Sequence, residues 1–249
     1  MRRFLAFLPL LAACSGCPVW QSQDVPVPAT LEKEQTTGAE YWRYVPKNYS
    51  TDRDWPMVVT LHGTIPYDTP KTQINEWKRL AEDKQFIIVA PRLDSTQGIL
   101  PVIPSKWFKD LHQDEKVILA VIDEMCKNYR IDKNSILLHA FSAGGFPLYY
   151  TGLRNAGRFN ALVARGCNCR TDLLEQIKIT PEARKLPMLI LWGKDDNILV
   201  QKQSWMAFRF LREHACFEAQ KKEFQGGHLR RPDLAYDFWA KYLPERHRR

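Results

Sequence analysis

The chain has no apolar run long enough to cross a membrane, no internal repeat, and no low-complexity segment after residue 39. Its N-terminal apolar run, residues 4–13, is too short for a bilayer span, which needs about 20 residues. The sequence also lacks a His-x-Glu-x-His motif or comparable metal-ligand set, and a basic stripe interleaved with aromatic residues. We therefore expect no metal, no cofactor and no nucleic-acid partner.

The bulk composition is that of an ordinary globular protein. Hydrophobic residues make up 45% and charged residues 26% of the 249 positions, and this length suits a single α/β domain. The formal net charge is +8, but five arginines lie near the chain ends, at positions 2, 3, 246, 248 and 249. The excess on the body is therefore mild, and it indicates a solvated basic surface rather than a site for a polyanion.

The N-terminus has the pattern of an export signal. Arg2 and Arg3 precede the apolar run, as in the positively charged region of a secretory signal peptide. The run ends in Leu-Ala-Ala-Cys at residues 11–14, which resembles the lipobox of bacterial lipoproteins. This resemblance implies cleavage before Cys14, lipid on its sulfur, and an exported, membrane-anchored lipoprotein that faces the periplasm or the cell exterior. The alternative is an unmodified Cys14 at the end of an ordinary signal.

The pattern divides the chain into a signal peptide at residues 1–13, a flexible tether at 14–38, and one folded domain at 39–249. The tether is rich in Pro, Gln, Thr and charge, a composition typical of extended linkers. Export makes a disulfide possible among the cysteines of the domain. Because Cys167 and Cys169 have no second Cys or His pair at ligand spacing, we expect thiols in the core or in loops.

Apolar runs of strand length alternate with helical patterns through the domain. The strand candidates are residues 41–45, 57–61, 86–90, 136–140, 161–164, 188–192 and 218–224. Four of these runs are almost continuously apolar, as expected for strands buried on both faces. One helix is predicted to begin after Thr69 as its cap, with Pro70 at the first helical position. Three more are predicted around residues 117–125, at about 201–213, and after Pro232. The alternation predicts an α/β fold with a mostly parallel, doubly wound sheet flanked by helices.

The most informative segment is residues 136–145, where an apolar strand runs directly into Ala-Phe-Ser-Ala-Gly and a helical stretch. A sharp strand-to-helix turn of this kind lifts the hydroxyl of Ser142 clear of the sheet in a strained, exposed conformation. The residues two before and two after the serine must be small, and they are Ala140 and Gly144. The turn also points the N–H groups that begin the helix at the place where negative charge develops.

On these residues the chain, from about residue 41 to 243, resembles the α/β-hydrolase superfamily. Its features are most similar to small, cap-less carboxylesterases of the feruloyl-esterase, polyhydroxyalkanoate-depolymerase-like and dienelactone-hydrolase-like kind. Ala140 departs from the Gly that is usual at this position. The resemblance implies a catalytic triad in the order nucleophile, acid, histidine, each after a strand, and Ser142, Asp196 and His228 arrive in this order. Asp195 is the alternative acid, since it leaves the same strand.

The resemblance also implies an oxyanion hole. Leu-His-Gly-Thr at residues 61–64 follows a strand and matches the oxyanion turn of the family, so the backbone N–H groups of Thr64 and Ala143 are the expected donors. His62 is expected to hold this turn rather than to act as a base. The apolar loop at residues 94–109 is expected to shape the substrate cleft, and the candidate substrate-binding residues on loops are Ile65, Tyr67, Trp107 and Phe108.

The expected activity is hydrolysis of a small-molecule or polymer-derived carboxylic ester through an acyl-enzyme. No long insertion follows the acid strand, so no large lid is expected. The pattern leaves open a peptidase or thioesterase with the same triad, because acyl transfer is common to all three. A non-catalytic, lipid-anchored binding protein that kept the fold is the remaining alternative.

Overall fold

The computed structural model describes residues 29–96, 104–215 and 218–248. The predicted signal peptide, Cys14 and the tether up to residue 28 lie outside these ranges, as do residues 97–103 of the predicted substrate loop. No helix in the described ranges combines the length and the apolar character that crossing a membrane requires.

Eight strands form one sheet in the order β1-β2-β4-β3-β5-β6-β7-β8. The strands are β1 (Thr30–Lys33), β2 (Glu40–Tyr44), β3 (Trp55–Leu61), β4 (Ile87–Pro91), β5 (Ile131–Phe141), β6 (Ala161–Arg165), β7 (Met188–Gly193) and β8 (Ala219–Phe224). β2 pairs antiparallel with β1 and β4, and the five other pairings are parallel. The predicted, mostly parallel sheet is confirmed, and each of the seven predicted strands is present.

Helices cover both faces of the sheet. The described residues form α1 (Pro70–Lys84), α2 (Pro104–Asn128), α3 (Gly145–Arg154), α4 (Thr171–Glu175), α5 (Pro181–Lys185), α6 (Ile198–Phe210) and α7 (Pro232–Trp239). Alternate side chains of β3 enter two separate cores, Val58 with α1 and α7 and its neighbours Met57 and Val59 with α2 and α3. Both faces are therefore apolar, which explains the continuous apolar runs.

The segments that join the last three strands are short. Between β6 and β7 lie α4 and α5, of five residues each, and between β7 and β8 lies α6 followed by one turn of π-helix at Leu211–Ala215. In the part of the chain that the structure describes, no large lid is inserted between β6 and β7 or between β7 and β8.

β1 is a strand that the sequence pattern did not predict. Residues 30–33 belong to the predicted tether, but they pair with β2 at the edge of the sheet. The intervening turn is held by Glu34, whose carboxylate accepts from the backbone N–H groups of Thr36 and Thr37 at 2.8 and 2.5 Å. Backbone pairing with a neighbouring strand creates β1, and a strand with three exposed residues out of four carries no apolar periodicity.

The start of α2 corrects a second expectation. Trp107 and Phe108 do not lie on a loop, because α2 begins at Pro104 and includes both. Trp107 is 2% exposed and packs edge-to-face on Phe146 of α3, with ring centroids 4.8 Å apart, and Phe108 is half-buried. The sequence did carry the signal, since Trp107 and Leu111 continue the apolar stripe of the helix for almost three turns before residue 117.

Candidate active site at the carboxyl edge of the sheet

The nucleophile turn begins where β5 ends. Phe141 is the last residue of β5, a 3-10 turn covers Ser142–Gly144, and α3 follows directly. Ser142 has φ of +53°, one of two positive-φ residues other than glycine in the described ranges. This conformation is unfavourable for a residue with a Cβ, and such strain is found where the surrounding structure holds a functional group in place. The predicted strained serine turn is present.

The space around this turn explains the small residues. A Cβ at Gly144 would lie 2.7 Å from the carbonyl oxygens of both Leu61 and His62, at the end of β3. The limit on size at this position thus comes from the end of the neighbouring strand β3. A Cβ at Gly63 would lie 3.0 Å from the Cβ of Ser142, so the turn after β3 packs directly on the serine.

Two adjacent carboxylates leave β7, and their contacts separate them. Asp196 is buried at 6% exposure, its Oδ2 lies 2.9 Å from Nδ1 of His228, and its Oδ1 accepts the N–H of Asn197 at 2.6 Å. Asp195 is exposed, and its Oδ2 accepts from the amide of Gln225 at 2.9 Å. The structure therefore pairs His228 with Asp196, the residue that the sequence pattern favoured.

The acid loop and the histidine loop are joined through their backbones. The N–H of Asp195 donates to the carbonyl of Gly226 at 2.9 Å, and a Cβ at Gly193 would lie 2.1 Å from that same oxygen. Gly226 has φ of +125°, a conformation that side chains rarely permit. A tight glycine loop thus precedes His228, and the contact at Gly193 shows that the acid loop also needs a glycine.

His228 lies beside the residue that precedes the serine. Its ring centroid is 4.5 Å from that of Phe141, and its side chain is 36% exposed. Since the carboxylate of Asp196 can only accept, the hydrogen bond assigns the proton to Nδ1 and leaves Nε2 able to take up a proton. Asp196 and His228 thus reach the same edge of the sheet as the Ser142 turn.

Gly166, after β6, contacts the Asp196–His228 pair and was not among the predicted site residues. It has φ of +49°, and a Cβ there would lie 3.1 Å from the His228 ring and 3.2 Å from Oδ2 of Asp196. The glycine thus lets the imidazole and the carboxylate approach the backbone closely. A glycine just past a predicted strand was the available signal.

The turn after β3 is held by a buried histidine and an aspartate. Nε2 of His62 accepts the N–H of Leu93 at 3.0 Å, so Nδ1 carries the proton and donates to the carbonyl of Gly63 at 2.8 Å. Burial lowers the pKa of His62, in keeping with the structural role predicted for it. The N–H of Gly63 donates to Asp68 at 2.6 Å. Thr64 comes next in the chain and is half-buried.

Of the four predicted substrate residues, Ile65 alone lines a described cavity. This cavity has a volume of about 260 Å³, and its walls come from Leu31, Glu40, Trp42, Ile65, Thr69, Pro70 and Arg92. Tyr67 is 85% exposed, and Trp107 and Phe108 belong to the core side of α2. Ile65, on the cavity wall, lies two residues beyond Gly63, the residue that packs on Ser142.

The described residues contain no group of three or more Asp, Glu, His or Cys side chains that could hold a metal ion. Cys167 and Cys169 are free thiols in the core, and burial raises the pKa of both. Cys126 is a half-buried free thiol. Cys167 and Cys169 match the predicted thiols, Cys126 lies on α2, and Cys216 lies outside the described ranges.

The sheet order, the crossover helices and the serine turn together define the α/β-hydrolase fold. A ferulic acid esterase from Anaeromyces mucronatus superposes with a TM-score of 0.63 at 17% identity, covering 89% of this chain and 94% of the other. An S-formylglutathione hydrolase from Agrobacterium tumefaciens gives a TM-score of 0.63 at 16% identity, covering 87% and 95%. At these identities the likeness establishes the fold, and it confirms the predicted architecture.

The chain is also similar in sequence to parts of two longer proteins. A bifunctional acetylxylan esterase/xylanase from Neocallimastix patriciarum is 25% identical over 173 residues, which is 69% of this chain and 23% of the relative. An acyl-protein thioesterase homologue from Dictyostelium discoideum is 32% identical over 89 residues, covering 36% of this chain and 39% of the relative. The chain therefore spans well under half the length of these relatives. No family model matches it.

Proposed function

We propose that the protein is a serine hydrolase that cleaves carboxylic esters, with Ser142 as nucleophile, His228 as base and Asp196 as the acid. The Ser142 hydroxyl oxygen attacks the ester carbonyl carbon while its proton passes to Nε2 of His228. Asp196 holds the proton on Nδ1 and stabilises the imidazolium. The imidazolium then protonates the alcohol as the carbon–oxygen bond breaks, and water attacks the acyl-enzyme with His228 again acting as base.

In this mechanism the backbone N–H groups of Thr64 and Ala143 bind the tetrahedral oxyanion. Ala143 follows the serine directly, and Thr64 follows Gly63, which packs on the serine. Donors that are fixed before the reaction stabilise the developing charge at no cost of reorganisation, and losing one typically costs about 2.7–4 kcal/mol. Asp68 and His62 support this assignment because they hold the turn from both sides.

The observation that carries the proposal is the hydrogen bond between His228 and the buried Asp196, beside a serine with positive φ. An ordinary surface serine has no reason to adopt this conformation, and an ordinary surface histidine has no buried carboxylate at 2.9 Å. Both features lie at the carboxyl edge of a parallel sheet, where α/β proteins place their ligand sites.

The test is covalent labelling with a fluorophosphonate probe. Wild-type protein and the control Ser50→Ala should both label and hydrolyse p-nitrophenyl acetate, because Ser50 precedes β3 at the opposite end of that strand. Ser142→Ala should retain its fold by circular dichroism and lose both reactions. Folded wild-type protein that neither labels nor turns over would favour a non-catalytic binding protein with this fold.

We favour esters over thioesters and peptides as substrates because of the extent of the three alignments. The acetylxylan esterase relative aligns with 69% of the chain, the thioesterase with 36%, and a dipeptidyl-peptidase from Porphyromonas gingivalis with 49%. The same triad can open all three bonds. Three substrates with the same acyl group test this preference: a p-nitrophenyl ester, a cysteamine thioester and a p-nitroanilide. The ester should have the highest kcat/KM of the three. A thioester faster than its matched ester would change the class.

We also propose that the cavity beside Ile65 receives one end of the ester. Trp42 and Pro70 give it apolar walls, and Arg92 and Glu40 add polar groups at its rim, which suits a ring with polar substituents. Two test substrates distinguish an aryl acyl group from an acetylated sugar: the methyl ester of ferulic acid and an acetylated p-nitrophenyl glycoside. Faster cleavage of the feruloyl ester is expected. Preference for the acetylated sugar would contradict an aryl substrate.

Finally, we propose the lipid anchor at Cys14 that the lipobox-like residues indicate. More than one acyl chain on a residue gives stable membrane binding, whereas a single chain gives only marginal binding. In a bacterial host, radiolabelled palmitate should be incorporated into the full chain but not into Cys14→Ala. Equal labelling of both proteins would exclude this site.

A further inference from the structure

Four charged side chains form a buried network behind the proposed catalytic pair. Asp68, Glu76 and Arg165 are 3%, 7% and 0% exposed, and the fourth member, Arg230, has 28% of its side chain exposed. The network carries two positive and two negative charges. Arg230 lies two residues after His228, and Asp68 lies on the segment that follows Thr64.

Arg230 is the centre of the network. Its Nη1 donates to Oδ1 of Asp68 at 2.7 Å and lies 3.4 Å from Oε2 of Glu76. The other oxygen of Glu76 pairs with Arg165 at the end of β6. Burial raises the pKa of Glu76, and the guanidinium groups of Arg165 and Arg230 oppose that rise.

Asp68 connects Arg230 to the proposed oxyanion turn. Its second carboxylate oxygen accepts the N–H of Gly63 at 2.6 Å and the side-chain amide of Gln73 at 2.7 Å. Because Gly63 immediately precedes Thr64, the orientation of the Asp68 carboxylate sets the position of the Thr64 peptide. One continuous path thus joins the histidine loop to the oxyanion donor.

The same arginines contact the residue beneath the histidine. The guanidinium carbons of Arg165 and Arg230 lie 5.3 and 4.9 Å from the ring centroid of Phe141, within the range of cation–π attraction. The ring of Phe141 lies 4.5 Å from that of His228 and precedes Ser142. Arg230 therefore contacts both Asp68, which holds the turn before Thr64, and Phe141, which ends β5 just before Ser142 and packs beside His228.

Stability alone does not account for such a network. Removing charges from water costs several kcal/mol per ion, and well-packed apolar residues of similar volume often stabilise a protein as well or better. We propose that Arg230 is a positioning residue, which holds the oxyanion turn through Asp68 in register with the histidine loop. This inference rests on the proposed esterase function.

The test compares Arg230→Met with Arg230→Lys and with the neighbouring control Arg231→Met. Arg231 pairs with Asp233 on the other side of the loop, so its loss leaves the network intact. With p-nitrophenyl acetate, kcat of Arg230→Met should fall about tenfold or more while KM changes by less than about threefold, because small displacements of positioned groups slow the chemical step. Arg230→Lys should recover much of kcat, and Arg231→Met should behave as wild type.

A double-mutant cycle with Asp68→Asn tests the path itself. If Arg230 acts through Asp68, the double variant should lose no more activity than the more damaged single variant, whereas independent effects would multiply. Multiplying effects, or equal kinetics of Arg230→Met and Arg231→Met, would overturn the inference.

Hydrogen exchange of the Gly63 amide gives a readout that needs no activity. Exchange should accelerate in Arg230→Met and stay slow in Arg231→Met, because the Asp68 acceptor loses its anchor only in the first variant. An inactive wild type with this exchange pattern would contradict the proposed function but leave the coupling in place. Unchanged Gly63 exchange in an active enzyme would contradict the coupling alone.

Discussion

At the scale of single residues, Asp195 and Asp196 differ in environment although they are adjacent in the chain. The buried Asp196 accepts from His228, whereas the exposed Asp195 accepts from Gln225. Asp196→Asn should lower kcat by about 10⁴-fold, because the amide favours the wrong imidazole tautomer. Asp195→Asn removes one exposed contact, worth at most about 1 kcal/mol, and should cost less than about fivefold. Steady-state kinetics of both variants decide the assignment, and the reverse ranking would make Asp195 the acid.

Gly166 offers a second test at this scale. In Gly166→Ala the new methyl would press on both His228 and Asp196, and the left-handed backbone adds about 1–2 kcal/mol of strain. We expect kcat/KM to fall about tenfold or more. The matched control is Gly157→Ala, where a Cβ meets nothing within 4 Å. If both variants kept wild-type kinetics, close approach at Gly166 would have no bearing on the site.

The three proposed triad residues could be found from sequence because each follows a recognisable strand and the order along the chain is restrictive. Asp68 and Arg230 could not, since their contact joins segments 162 residues apart and no local pattern marks them. Gly166 has one local signal, a glycine just past a predicted strand. Sequence order predicts which strand ends carry polar side chains. It does not predict which charges meet behind them.

At the scale of elements, the same division holds between local and non-local causes. The start of α1 follows from a local signal, since Thr69 accepts the N–H of Thr72 at 3.2 Å and Pro70 occupies the first helical position. β1 has only its pairing with β2 to define it, so the predicted tether extended too far. The prolines at positions 101 and 104 favour a loop before Trp107, whereas the apolar positions of Trp107 and Leu111 favour the helix that the structure shows.

The cap of α1 carries a stability prediction. Thr69→Ala removes the side-chain acceptor for Thr72 and should lower the free energy of unfolding by about 1 kcal/mol, or about 2–4 °C in Tm. Thr69→Ser keeps the acceptor and should remain close to wild type. Calorimetry of the three proteins measures the effect. If Ser and Ala were equally destabilising, the loss would come from the methyl group rather than from the cap.

At the scale of the whole molecule, three buried histidines make the fold sensitive to acid. His62, His139 and His247 are 0%, 0% and 4% exposed, and burial lowers the pKa of each below its ordinary value of 6.5. Protonation would also break specific contacts, since Nε2 of His62 must stay unprotonated to accept the N–H of Leu93. The unfolded chain therefore binds more protons than the folded protein below pH 6.5.

The sign of the pH dependence follows from this difference. When the unfolded state binds more protons, the free energy of unfolding falls as the pH falls, by at most about 4 kcal/mol per pH unit for three protons. Asp114 has the opposite effect on stability, because burial raises its pKa from 3.8 to about 6. Between these two pH values the folded protein binds this proton more tightly than the unfolded chain does, which stabilises the fold as the pH falls. Glu76, whose pKa burial also raises, acts in the same direction as Asp114. Two carboxyls offset at most two of the three protons, so the net effect remains destabilisation by acid.

Urea unfolding at pH values of about 5, 6, 7 and 8 tests this balance. We expect stability to hold between pH 8 and 7 and to decline steeply below pH 6.5. His247→Gln removes one of the three groups and should reduce the slope by up to about 1.4 kcal/mol per pH unit, whereas His112→Gln changes a side chain that is 52% exposed and should leave the slope unaltered. If wild type and His247→Gln lost stability at the same rate, the buried histidines would not set the acid limit of this fold.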